Sequence, residues 1–81
     1  MINLEEIINN QFEKLDIPKM SITSETPMEK LGLDSLDIID ICMEVEKIAG
    51  KRVDAEVEEL NDMKTVQDFK EIFRKQGFEI E

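Results

Sequence analysis

One hydroxyl in the chain stands where chemistry is conceivable. Ser35 is set in Asp34-Ser35-Leu36-Asp37, a serine between two carboxylates at what the pattern makes the mouth of a helix. A nucleophilic serine needs a base to take its proton. The chain contains no histidine, so a Ser-His-Asp triad cannot be assembled and the commonest general base is missing. Three readings of Ser35 remain. It can be a plain helix-start residue. It can be a nucleophile that lacks an activator. It can also be a point of modification by another enzyme, because a phosphate attached there would meet the free N–H groups and the positive end of the helix dipole. Asp34, Asp37 and Asp40 recur every third residue, whereas an EF-hand calcium loop needs acids at alternate positions, a central glycine and a later glutamate; no metal site is expected. Cys42, the only cysteine, falls among apolar residues with no base beside it and is expected to be an inert core thiol.

The elements that must position Ser35 follow from spacing. Leu4, Ile7, Ile8, Phe12 and Leu15 recur at helical intervals, with Asn3 as cap, Glu5 and Glu6 in the first turn, and Asp16 and Pro18 as the end. Residues 16–33 read as a long loop. Its scattered Ile17, Met20, Ile22, Met28 and Leu31 are enough to pin it over a core, with a helical turn after Pro27. Asp34 then caps a helix over Ser35–Ala49. Asp37 stands in the capping-box position, Leu33 and Ile38 form a hydrophobic staple, and Gly50 lies just past the end. Asp54 is expected to cap a short helix reaching Leu60. Thr65, with Asp68, caps a last helix carrying Val66, Phe69, Ile72 and Phe73, which Gly77 closes. No strand pattern appears. The expectation is an all-α fold, a small bundle of three to four helices with a long loop between the first and second, forming one domain over residues 1–81.

Stepping Ser35–Ala49 at about 100° per residue puts Ile38, Ile41, Cys42, Val45, Ile48 and Ala49 on one arc. Asp37, Asp40 and Glu44 form an acidic stripe opposite, with Leu36, Ile39 and Met43 between the two. The apolar arc is wider than a surface helix needs. Either the helix is packed on several sides, or Leu36 and Met43 stay exposed beside the acids as anchors for a partner. Glu46 fits neither arc.

Charge narrows the partners. Twenty acidic and ten basic side chains leave a formal net charge of -10, which repels nucleic acid and anionic membrane and suits basic patches on proteins. No apolar run is long enough to span a bilayer, no signal-peptide pattern is present, and a lone cysteine offers no internal disulfide. A cytoplasmic protein without membrane insertion is therefore expected.

"LGLDSLD", Leu31–Asp37, resembles the phosphopantetheine attachment motif of acyl carrier proteins. The resemblance extends along nearly the whole chain. "SITSETPMEKLGLDSLD" is similar to that family's long loop, "DSLDIIDICMEVEK" to its partner-recognition helix, and "MKTVQDFKEIF" to its terminal helix. It implies that Ser35, matched together with Asp34 and Leu36, carries 4′-phosphopantetheine installed from coenzyme A by a phosphopantetheinyl transferase. It implies a non-enzymatic, monomeric carrier of acyl thioesters for fatty-acid, polyketide or related biosynthesis. Asp37, Asp40, Met43, Glu44 and Glu46 are the implied contacts for the basic patches of acyl-transferring, ketosynthase or adenylating enzymes. Ile39 and Val45 are the implied lining of a shelter for the acyl chain. A peptidyl or aminoacyl carrier, and an acidic interaction module without any prosthetic group, are the alternatives. Lys47 and the pair Lys51-Arg52 depart from the acidic residues common at these places in fatty-acid carriers.

Overall fold

The first helix starts where the chain supplies an acceptor for its free N–H groups. Asn3 Oδ1 accepts from the Glu6 N–H at 3.0 Å. In the computed structural model, which describes residues 1–81, α1 spans Leu4–Lys14, a 3₁₀ turn spans Met28–Leu31, α2 spans Ser35–Ala49, α3 spans Val57–Asn61 and α4 spans Val66–Arg74. There is no sheet; extended pairing is confined to two isolated bridges. The core is aliphatic and phenylalanine-rich. Leu4, Ile8 and Phe12 from α1 meet Ile38, Ile41 and Val45 from α2 and Val66, Phe69 and Phe73 from α4.

The long loop is held by both of the means open to it. Leu31 is buried, and Ile22, Met28 and Leu33 pack partly buried against the core, while Ile17 and Met20 remain at the surface. Its backbone also completes α4. The first turn of a helix leaves N–H groups without intrahelical acceptors. Here the Val66 N–H donates to the Thr26 carbonyl at 2.9 Å and the Gln67 N–H to the Ser24 carbonyl at 2.8 Å. Asp68 Oδ2 takes the Lys64 and Thr65 N–H groups at 2.8 and 3.2 Å. A buried cation adds a third tie: Lys70 Nζ stands 2.8 Å from Glu5 Oε1 and donates to Ser24 Oγ at 2.8 Å, linking α4, α1 and the loop.

Two expectations are corrected. The short helix begins at Val57, capped by Glu56, and not after Asp54. The reason is that Gln76 grips Asp54: Gln76 Oε1 accepts its N–H and Gln76 Nε2 donates to its carbonyl, both at 2.7 Å. On α2, Ile38, Ile41 and Val45 are buried and Cys42 half-buried, but Ile48 is 55% exposed and Ala49 is exposed. Residue Gln11 sits beside Asp40 while Met1 and Ile2 sit beside Ile48 and Ala49, so α1 runs antiparallel and the last turn of α2 extends past its start.

The segment after Gly77 has no periodicity, yet Phe78 and Ile80 are buried. The Ile2 N–H donates to the Glu79 carbonyl at 2.9 Å and the Glu81 N–H to the Ile2 carbonyl at 2.8 Å, so the two ends of the chain close on each other.

Candidate functional site

Ser35 is positioned by the glycine turn before it and by the Asp34–Asp37 pair at the start of α2. Gly32 ends the 3₁₀ turn at φ 64°, a left-handed conformation that suits glycine and redirects the chain into α2. The Asp37 N–H then donates to Asp34 Oδ1 at 3.0 Å, and the Asp34 N–H donates to Asp37 Oδ2 at 3.1 Å. This reciprocal box consumes both carboxylates in capping. Neither activates the serine. Ser35 is exposed as the first residue of the helix, and its own N–H and that of Leu36 have no acceptor within the protein. A covalently held phosphate fits here: the hydroxyl is open, two donors are free, and the dipole end of a 15-residue helix faces it.

A cavity of about 310 Å³ opens next to Ser35 between α2, the 3₁₀ turn and α3. Met28, Leu33, Ile38, Ile39, Leu60 and Met63 make most of its wall, and Ser35, Asp34, Glu29 and Asn61 add polar groups to it. Ile39 lines it. Val45 does not: it is wholly buried in the core, two helical turns from Ile38. Leu60 and Met63 were hidden in the sequence because they sit outside any long periodic run.

The outward face of α2 carries apolar side chains in the open. Leu36 is 70%, Ile39 45% and Met43 59% exposed. Of the two explanations for the wide apolar arc, packing on several sides is therefore excluded for these three. Beside them Asp40 is exposed and Glu44 half-buried, with Asp40 Oδ2 accepting from Gln11 Nε2 at 3.4 Å. Glu46, which had no place in either arc, has one now: its Oε2 accepts the Val53 N–H at 2.7 Å and ties α2 to the following loop. The Cys42 thiol is pushed up to about 11 by burial, with the neighbouring Glu46 carboxylate adding to the effect. It is protonated at neutral pH and is a poor nucleophile.

Fold and site together describe a small helical protein that presents one exposed hydroxyl at the mouth of its longest helix. Residues 12–73 match the family described as phosphopantetheine attachment site. An acyl carrier protein of Phytoplasma australiense is 41% identical over 66 residues, covering 80% of this chain and 84% of that protein. The solution structure of MacpD, an acyl carrier protein from Pseudomonas fluorescens involved in mupirocin biosynthesis, aligns with a TM-score of 0.73 at 23% identity, covering 91% of this chain and 67% of that one, a likeness of fold. The chain belongs to the acyl carrier protein family. Its prosthetic group is phosphopantetheine, and its role is carriage, not catalysis.

Proposed function

We propose that Ser35 Oγ is the attachment point of 4′-phosphopantetheine and that the chain carries acyl intermediates of fatty-acid or polyketide-type synthesis between enzymes. The observation that carries this reading is the exposed Ser35 hydroxyl, fixed by the Asp34–Asp37 box and set at the edge of an apolar cavity. In the attachment step Ser35 Oγ forms a bond to the pantetheine-side phosphorus of coenzyme A. The phosphoanhydride bond breaks, adenosine 3′,5′-bisphosphate leaves, and the serine proton passes to a base of the transferase. Once attached, the arm supplies a thiol that holds acyl groups as thioesters at high effective concentration near each active site.

The remaining work belongs to the chain's own residues. Asp34 and Leu36 flank the hydroxyl that the transferase must read. Leu36 and Met43 are exposed anchors, and Asp37, Asp40 and Glu44 give the docking face its negative charge. Glu46 is engaged by Val53 and serves the fold.

Incubation with coenzyme A and a broad-specificity phosphopantetheinyl transferase, read by intact mass, tests the attachment. A gain of one phosphopantetheine that disappears in Ser35→Ala is expected. A gain that persists in Ser35→Ala refutes Ser35 as the attachment point, and no gain with several transferases refutes the reading and leaves the acidic docking module as the better one.

A further inference from the structure

The solvent face of α2 changes sign along its length. Asp40 and Lys47 are seven residues apart, which brings them to within about 20° of the same direction and about 10.5 Å apart along the axis. Leu36 and Met43, also seven apart, form a parallel apolar line beside them. Past Gly50 come Lys51 and Arg52. Lys51 is used inside the protein: its Nζ donates to the Gln76 carbonyl at 3.3 Å and lies 4.4 Å from the centroid of the Phe78 ring. Lys47 and Arg52 are different. Both are exposed, neither joins any of the three ion pairs, and neither makes a side-chain hydrogen bond, although Glu44 and Glu46 lie on the same helix. Together with Met43 and Glu44 they border an open depression at the C-terminal end of α2. Glu44 lies between Asp40 and Lys47, about 4.5 Å along the axis from Lys47 and inside the screening length of about 8 Å, so it tempers the positive end that Lys47 and Arg52 form together.

We propose that Lys47 and Arg52 select among the enzymes that dock on α2. The face fits an enzyme whose basic patch covers the Asp37–Asp40 end, whose apolar surface meets Leu36 and Met43, and whose carboxylate lies over Lys47 and Arg52. It disfavours an enzyme that is basic along the whole helix, because like charges brought together at an interface oppose binding. A second copy of this chain could align opposite poles, but a net charge of -10 on each copy works against it. The proposal rests on Ser35 and α2 being the carrier site.

The test uses, as probe, a phosphopantetheinyl transferase whose docking surface is basic throughout, with coenzyme A as donor. The wild type, K47Q/R52Q and K47E/R52E are compared by rate of mass gain. Both side chains are exposed and make no hydrogen bond or ion pair, so the substitutions break no contact, and K47Q/R52Q avoids placing an acid in the last turn of α2. For K47E/R52E the KM falls about three- to tenfold at low salt, as expected for two rim charges, with kcat unchanged and K47Q/R52Q intermediate. The difference closes at high salt. An equal or higher KM overturns the proposal, because the two cations would then not be read by a basic partner. Dimerisation of the wild type in sedimentation, lost in K47E/R52E, would assign the face to a second copy and overturn it too. Failure of the wild type to gain any mass would refute the Ser35 reading and the proposal with it, an outcome distinct from a charge effect that fails to appear.

Discussion

Lys70→Met removes the one buried cation that ties three parts of the molecule. Its side chain is 5% exposed and that of Glu5 28%. Removing one member of a fully buried pair costs about 3–5 kcal/mol. Glu5 can turn partly to water, which lowers the figure to about 2 kcal/mol, and the lost bond to Ser24 Oγ adds about 1 kcal/mol. The total, about 3 kcal/mol, is a large share of the roughly 4–12 kcal/mol typical of a domain this long. At about 4–8 °C per kcal/mol the melting temperature should fall by about 12–24 °C. Thermal unfolding by circular dichroism measures this. A companion variant, Lys70→Met with Glu5→Leu, removes both charges and should recover most of the loss, since an apolar pair of similar volume is close to neutral in such a place. A melt of Lys70→Met within about 2 °C of wild type, or a double variant less stable than the single, would refute the view that an uncompensated Glu5 is the source of the cost.

Three other predictions address single contacts. Glu46→Ala should lose about 1–2 kcal/mol by orphaning the half-buried Val53 N–H, while Glu46→Gln, which keeps an acceptor, should lose less; chemical denaturation separates the two. Asp68 is held below the usual carboxylate range by the Lys64 and Thr65 backbone N–H groups, so its contribution to stability is present above the unfolded pKa and is lost as pH falls through the folded one. An NMR titration should place its midpoint below that of an ordinary aspartate, and Asp68→Asn should flatten the acid limb of the stability curve. Cys42, with its pKa at about 11, is roughly a thousandth ionised at about pH 8, so a thiolate-selective reagent should leave it unlabelled in the folded chain and label it after unfolding.

What could be read from the sequence is what local rules control. α2 was legible to the residue because Asp34 and Gly50 mark its ends chemically, and α4 because Val66, Phe69, Ile72 and Phe73 leave one face apolar. Ser35 was legible for the same reason, since its place at the helix mouth follows from the cap. Several of the misses share a cause, which is partners outside the local run of sequence. Asp54 failed as a cap because of Gln76, Glu46 gained a role only through Val53, and Lys70 is buried only because Glu5 and Ser24 meet it there. Phe78 and Ile80 follow a glycine and show no period; Ile80 is placed by the bridge to Ile2 and Phe78 by packing on the Phe73 ring. Leu60 and Met63 were missed in the same way, each becoming a cavity wall only when α3 folds back beside α2.

The division of labour on α2 gives the site its logic. Burying Leu36 and Met43 would each have stabilised a small domain by about 1.5–3 kcal/mol, and the chain leaves them outside. The helix is held instead by Ile38, Ile41 and Val45 beneath it, by the Asp34–Asp37 box at one end and by Gly50 and Glu46 at the other. The loop that delivers Ser35 is held independently, by Leu31 in the core and by the N–H groups of α4. On the proposed carrier reading, recognition and position rest on largely separate residues, with Asp37 serving both. On that reading, substitutions at Leu36, Asp40, Met43 or Lys47 change which enzyme docks while the buried supports keep the hydroxyl in place. Substitutions at Leu31, Ile38 or Lys70 act on the fold, and reach partner choice only by letting Ser35 move.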